Sequence, residues 1–169
     1  VIGSLVPAFS PGAHQFGGDI AELIVYNSGL NTTQRILVEN YLAAKYGLDI
    51  AAAGVDYYDL EATHPFDVAG IGQSSTSDNH LAAQSNGILK VSGSTGVGDN
   101  EFLLFGHDNG TTDNWSSTET PADSLLRLER EWAFDETGET GNITVSIDTS
   151  SLGDIPEGSR GFFLLMDDD

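Results

Sequence analysis

Asn142-Ile143-Thr144-Val145-Ser146-Ile147-Asp148 sets Ile143, Val145 and Ile147 against Thr144, Ser146 and Asp148. A period of two is the mark of a strand with one buried and one wet face. Segments of the same kind recur upstream at Phe66–Ile71, Gly87–Ser92, Glu101–Gly106 and Leu125–Phe134, and once more downstream at Gly161–Met166. Turns rich in Gly, Ser, Asp and Asn separate them, the clearest running from Ser92 through Gly93, Gly96 and Gly98 to Asn100. Short strands at this spacing predict a mostly β chain, an antiparallel β-sandwich of jelly-roll-like form.

One helix is expected, over residues 32–46. Asn31 is placed to cap it and Gln34, three residues on, to complete a capping box. Its apolar stripe reads Thr33, Leu37, Tyr41 and Ala44, flanked by Ile36, Val38 and Leu42, with Arg35, Glu39 and Lys45 on the wetter side. Gly47 can adopt the positive φ that ends a helix, and Leu48 can fold back behind it. Ahead of the helix, Asp19-Ile20-Ala21-Glu22-Leu23-Ile24-Val25-Tyr26 is apolar on both faces and reads as a central strand. Ala51-Ala52-Ala53-Gly54 reads as a linker, and a domain boundary is expected near residue 60, dividing the chain into 1–60 and 61–169.

The chain has 169 residues, 6 of them Lys or Arg and 26 Asp or Glu, giving a formal charge of −20. Phosphate backbones and anionic lipid require a basic surface, so this balance argues against nucleic acid and membrane surfaces as partners and favours cations. No stretch is apolar enough for a membrane span, and Val1-Ile2-Gly3-Ser4-Leu5-Val6-Pro7 lacks the basic start of a signal peptide. Cys is absent, which removes disulfides, thiolate metal sites and a cysteine nucleophile. Arg127, Arg130 and Arg160, half of the basic residues, are expected to pair with Glu129, Glu131 or Asp135.

Catalysis finds little footing. There is no Gly-x-Ser-x-Gly elbow, no phosphate loop, and no His-Glu-x-x-His among His14, His64, His80 and His107, so no enzymatic activity is expected. Ca²⁺ is the tentative cofactor, because it takes six to eight oxygens from carboxylates, amides and carbonyls. Three acidic clusters offer them: Asp99-Asn100-Glu101; Asp108 with Asn109, Asp113 and Asn114; and Asp167-Asp168-Asp169. Solvated turns account for the same clusters without any metal. Glycan binding would use Trp115, set in a polar run, with His107, Asp108 and Asn109 as companions. A tryptophan in such a loop also serves as a clasp packed on its own sheet, and Trp132 reads as core. Sequons at Asn31, Asn109, Asn114 and Asn142 matter only in a glycosylating host.

Residues 18–30, followed by Gln34-Arg35 and by Glu39-Asn40-Tyr41-Leu42-Ala43-Ala44-Lys45-Tyr46-Gly47-Leu48, resemble the C-terminal end of a laminin-G-like, concanavalin-A-like domain of secreted bacterial proteins. In that family the last strand of the sandwich leads into a short helix of this pattern. The remainder, with Phe66–Gly72, Glu101–His107, Glu131-Trp132 and Phe163–Asp169, resembles a β domain that often follows it in surface proteins and adhesins. The resemblance implies an extracellular or cell-surface setting, modular architecture, and possible Ca²⁺ and carbohydrate recognition; it carries over no catalytic residue. Three functions are compatible with these residues: a structural or adhesive module stiffened by calcium, a carbohydrate-binding module, and a filament subunit completed by strand addition. The expected partners are other β modules of the same parent, further copies of this chain, or glycans.

Overall fold

The computed structural model describes residues 18–121 and 125–166. Helix α1, Thr32–Tyr46, is followed by nine strands: β1 Phe66–Ser75, β2 Asp78–His80, β3 Ala82–Ser85, β4 Leu89–Ser92, β5 Glu101–His107, β6 Trp115–Ser116, β7 Arg127–Leu128, β8 Trp132–Thr137 and β9 Thr144–Ile147. They form an antiparallel sheet in the order β2-β1-β5-β8, a second in the order β3-β4-β9, and a small β6-β7 ribbon. The architecture is mostly β and sandwich-like, as expected.

The central strand β5 explains the layering. Phe102 and Leu104 point to one face, where Ile36, Leu37 and Ala44 of α1 pack with Tyr58 and Val68. Leu103 and Phe105 point to the other, against Ile71 of β1 and Leu89 and Val91 of β4. A strand buried on both faces needs apolar side chains at every position, which is what Phe102-Leu103-Leu104-Phe105 supplies. In β1 the face toward the helix reads Val68, Gly70, Gly72, and the two glycines let α1 and Phe102 approach the sheet closely. A Cβ on Gly70 would lie 2.9 Å from Leu37 Cδ2 and 2.8 Å from the Leu103 carbonyl oxygen.

The helix forms as its sequence dictates. The Asn31 side chain accepts from Gln34 N–H at 2.8 Å, and the Gln34 side chain accepts from Asn31 N–H at 3.1 Å. Gly47 takes φ 61°, and Leu48 N–H reaches back to the Ala43 carbonyl. Asn31 also donates through Nδ2 to the Asn79 carbonyl of β2 at 3.0 Å, and Thr33 Oγ1 donates to the Asp78 carbonyl at 2.6 Å, so the cap is also a tether to the sheet. Asn31→Ala is therefore expected to lower stability by about 1–2 kcal/mol in urea unfolding, a lost N-cap plus one lost tertiary hydrogen bond.

Several expectations are corrected. Residues 19–26 are not a central strand: they form no ladder with any described strand, and Ile20, Leu23, Val25 and Tyr26 are exposed, Val25 at 82%. The segment is held by Glu22, whose side chain reaches α1, and not by backbone pairing. Gly161–Met166 is extended and exposed with no strand assignment. Leu125–Phe134 is not one strand; β7 pairs with β6 while β8 pairs with β5, so the chain changes partner between Leu128 and Trp132. Ile36, Leu37 and Ala44 of α1 share one core with Val68 and Phe102 across residue 60. Arg127 pairs with Glu131 at 2.8 Å as expected, and with Glu119 at 2.6 Å; Arg130 instead donates to the Gly110 carbonyl and lies over the Trp132 ring.

Candidate functional site

The expected site residues that the structure describes lie in turns and at strand ends, and their polar atoms are largely used by the fold. Asp99 accepts from the Gln73 amide at 2.8 Å, Asn100 stands at φ 63° with its N–H on the Gln73 carbonyl, and the Glu101 carboxylate accepts from Gly98 N–H. Asp108 Oδ1 accepts from Gly110 N–H at 2.8 Å and from Glu131 N–H at 3.1 Å, tying the end of β5 to the start of β8. Asp113 is exposed, its N–H on Thr111 Oγ1. Among the described residues, no group of three or more His, Asp or Glu side chains is placed to hold a metal ion. The expected cluster Asp167-Asp168-Asp169 lies outside the described residues.

His107 is not a surface companion for a glycan. Its ring is fully buried at the end of β5, with Nδ1 accepting from Asn109 N–H at 3.0 Å. That leaves Nε2 as the donor, 2.9 Å from Asp67 Oδ2. Phe66 stacks on the ring and Trp132 meets it edge-on. Asp67 sits at φ 49°, within the break in β1–β5 register between Phe66 and Ala69, and this left-handed conformation aims its carboxylate at the imidazole. With both nitrogens engaged and no exposed ring surface, the pair closes one end of the sheet. Asn109 is exposed, at φ 67°.

Trp115 is half-buried, and its ring lies 6.5 Å from that of Phe162. It is a clasp between the β6-β7 ribbon and the extended segment 161–166, and its indole nitrogen is buried without a protein partner, as is that of Trp132.

Two features were not anticipated. A groove of about 230 Å³ runs between the C-terminal end of α1 and residues 56–61, lined by Asn40, Gly47, Asp49, Asp56, Tyr58 and Glu61. Burial raises the Asp56 carboxyl above its usual range, with Glu61 and Asp59 adding like-charge repulsion. The second is a clamp on the outer side of α1. Lys45 Nζ contacts Glu22 at 2.9 Å and Tyr41 Oη at 2.7 Å, and it lies over the Tyr41 and Tyr46 rings. Tyr46 Oη donates to the same Glu22 oxygen at 2.9 Å. These hydrogen bonds, Lys45 first and Tyr46 second, hold the Glu22 carboxyl below its usual range. The sequence showed Lys45 on the wet side of the helix and Glu22 in a β-like run, but nothing in it joined the two.

No curated protein and no solved structure matches the chain significantly. Among the described residues no helix is long and apolar enough to cross a membrane. A family profile does match, over residues 34–169, taking in α1 from its first turn together with all nine strands. The chain therefore belongs to the family described as a domain of unknown function, DUF8202.

Proposed function

We propose that the chain is a structural module of an extracellular surface protein and acts without turnover. The observation that carries this reading is the segment 19–26. It is a β-like apolar run that pairs with no described strand, yet it is fixed in place by Glu22, Lys45 and Tyr46. A β-like segment anchored to α1 through Glu22 and left open along its backbone is suited to complete the sheet of an adjoining β module, here a laminin-G-like one. The clamp would then set the angle between that sheet and α1. The high acidic charge suits a hydrated surface and opposes unspecific association. Calcium stiffening draws no support from the arrangement of the internal clusters. The glycan reading draws less support, since Trp115 packs on Phe162 and His107 is buried.

Amide exchange tests the proposal. In the 169-residue chain the amides of residues 20–26 should exchange within seconds, and in the full-length gene product they should be protected at least a hundredfold, as ladder amides are. Equal, fast exchange in both would overturn it. Lys45→Ala should raise the picosecond-to-nanosecond mobility of residues 20–26 in ¹⁵N relaxation while leaving the unfolding midpoint of the β core nearly unchanged. The clamp has a definite pH sense. Because Glu22 is depressed when folded, its contribution is present above the ordinary carboxylate pKa and is lost as pH falls through the lowered value.

A further inference from the structure

Asn-Gly occurs twice in the sequence, at Asn86-Gly87 and at Asn109-Gly110. It is the dipeptide most open to succinimide chemistry, because glycine has no Cβ to hinder attack of its nitrogen on the preceding side chain. The two sites share an exposed asparagine in the left-handed region, φ 46° at Asn86 and φ 67° at Asn109. They differ in the glycine. Gly87 lies at the tip of the β3-β4 hairpin, no atom lies within 4 Å of a Cβ added to it, and its N–H makes no hydrogen bond to a described residue. Two bonds close that turn, Ile88 N–H to the Ser85 carbonyl at 3.1 Å and the Gln84 amide to the Gly87 carbonyl at 2.9 Å. Gly110 is enclosed instead: an added Cβ would meet the Glu129 carbonyl oxygen at 2.6 Å and Arg130 Cα at 2.7 Å. Its N–H donates to Asp108 Oδ1 at 2.8 Å, and its carbonyl accepts from Arg130 Nε at 2.8 Å.

We infer that Asn86 is a site of spontaneous deamidation and that the fold shields Asn109 from the same reaction. The Gly87 nitrogen gives its proton to a solvent base and bonds to Asn86 Cγ, while the bond from Cγ to the side-chain nitrogen breaks and ammonia leaves. Water then opens the five-membered succinimide at either carbonyl, giving aspartate or isoaspartate; nothing is oxidised or reduced. The attack requires rotation about the Asn86 Cα–C bond, which swings Gly87. At the hairpin tip that motion meets open space. At Asn109 it would drive Gly110 into the Glu129–Arg130 backbone and break both of its hydrogen bonds. Asp108 opposes the reaction in a second way, because a carboxylate on the Gly110 N–H disfavours the amide anion that must form. Conversion adds a carboxylate at position 86. The isoaspartyl product also lengthens the backbone by one carbon between Ser85 and Ile88, which are both buried, so the strain falls where β3 and β4 begin to pair. This chemistry is independent of the proposed joint at 19–26.

Incubation of the 169-residue chain in mildly alkaline buffer, followed by tryptic digestion and mass spectrometry, tests this. Cleavage after Lys45, Lys90 and Arg127 puts the two Asn-Gly pairs on separate peptides, 46–90 and 91–127. Fragmentation of the first assigns its conversion to Asn86 rather than Asn79. In the folded chain Asn86 is expected to convert about tenfold faster than Asn109. In concentrated urea, where neither glycine is held, the two rates should converge, so the same sample incubated unfolded isolates the effect of the fold. Equal rates in the folded chain, faster conversion at Asn109, a folded Asn86 that stays intact while the unfolded chain converts, or a difference that persists in urea would each overturn the inference.

Discussion

Gly70→Val is expected to destabilise the protein by about 3 kcal/mol, the upper part of the usual range for overpacking a closed core. A Cβ there meets the Leu103 carbonyl at 2.8 Å and Leu104 Cγ and Leu37 Cδ2 at 2.9 Å each. The two side chains can yield slightly, but the carbonyl belongs to the β5 strand to which Gly70 is paired, and it can retreat only by distorting the ladder. Valine adds two further methyl groups in the direction of α1. The helix must then lift from β1, exposing Ile36, Leu37 and Ala44, the residues that join it to the sheet. Urea denaturation would show a lower midpoint, and the amides of α1 would lose protection first. Gly29→Ala is the control: no atom lies within 4 Å of its added Cβ, and its midpoint should hardly move. Equal behaviour of the two variants would mean that the helix does not depend on this contact.

The way α1 and the strands could be read from sequence differs for a physical reason. The helix was legible to within a residue because its signals are local: Asn31, Gln34 and Gly47 satisfy the terminal backbone groups whatever lies nearby. Strands β1, β4 and β5 were legible because a buried face leaves a periodic or continuously apolar trace, and β9 because Ile143 and Val145, partly buried on the core, alternate with wet residues; Ile147, expected on the same buried face, is exposed. β2, with Asp78-Asn79-His80, and β3, with Ala82-Ala83-Gln84-Ser85, left none. They are strands because β1 and β4 supply ladder partners, which is tertiary information. The converse held at residues 19–26 and 161–166, where strong β propensity met no partner among the described residues.

The candidate site was less legible still. Asp99, Glu101 and Asp108 have the composition of a cation site, and composition cannot distinguish carboxylates converging on an ion from carboxylates accepting from the Gln73 side-chain amide, as Asp99 does, or from nearby backbone N–H groups, as Glu101 and Asp108 do. His107 had the setting of a turn residue; that its ring turns inward depends on the left-handed Asp67 forty residues earlier in the chain. The Glu22–Lys45 pair spans twenty-three residues, beyond any helical or strand spacing rule.

Asn40 makes the same point and yields the second large effect. It lies on the helix face that packs inward, 1% exposed, at a position the apolar stripe did not include. Nδ2 donates to the Ile36 carbonyl at 2.9 Å and to the Val55 carbonyl at 2.7 Å, while Oδ1 accepts from Tyr57 N–H at 2.9 Å. One side chain thus satisfies both a donor and an acceptor of segment 55–57, which has no ladder of its own. That segment places Tyr57 on Phe102, with ring centroids 4.1 Å apart, and leads to Tyr58 in the core. Asn40→Leu keeps the branched shape and heavy-atom count and improves helix propensity, so a purely hydrophobic view predicts a gain. The expected result is a loss of about 3 kcal/mol, because two backbone groups are left buried and unpaired at about 1–3 kcal/mol each. The damage should also be localised, with hydrogen exchange rising at Tyr57 before the β5 amides respond. Asn40→Asp separates the contributions: it retains the acceptor for Tyr57 N–H but sets a carboxylate against the Val55 carbonyl. Its stability should therefore approach that of wild type as pH falls and the carboxyl protonates, which neither wild type nor Asn40→Leu would show. A stable Asn40→Leu protein with unaltered exchange at Tyr57 would mean that segment 55–57 is held by its aromatic packing alone.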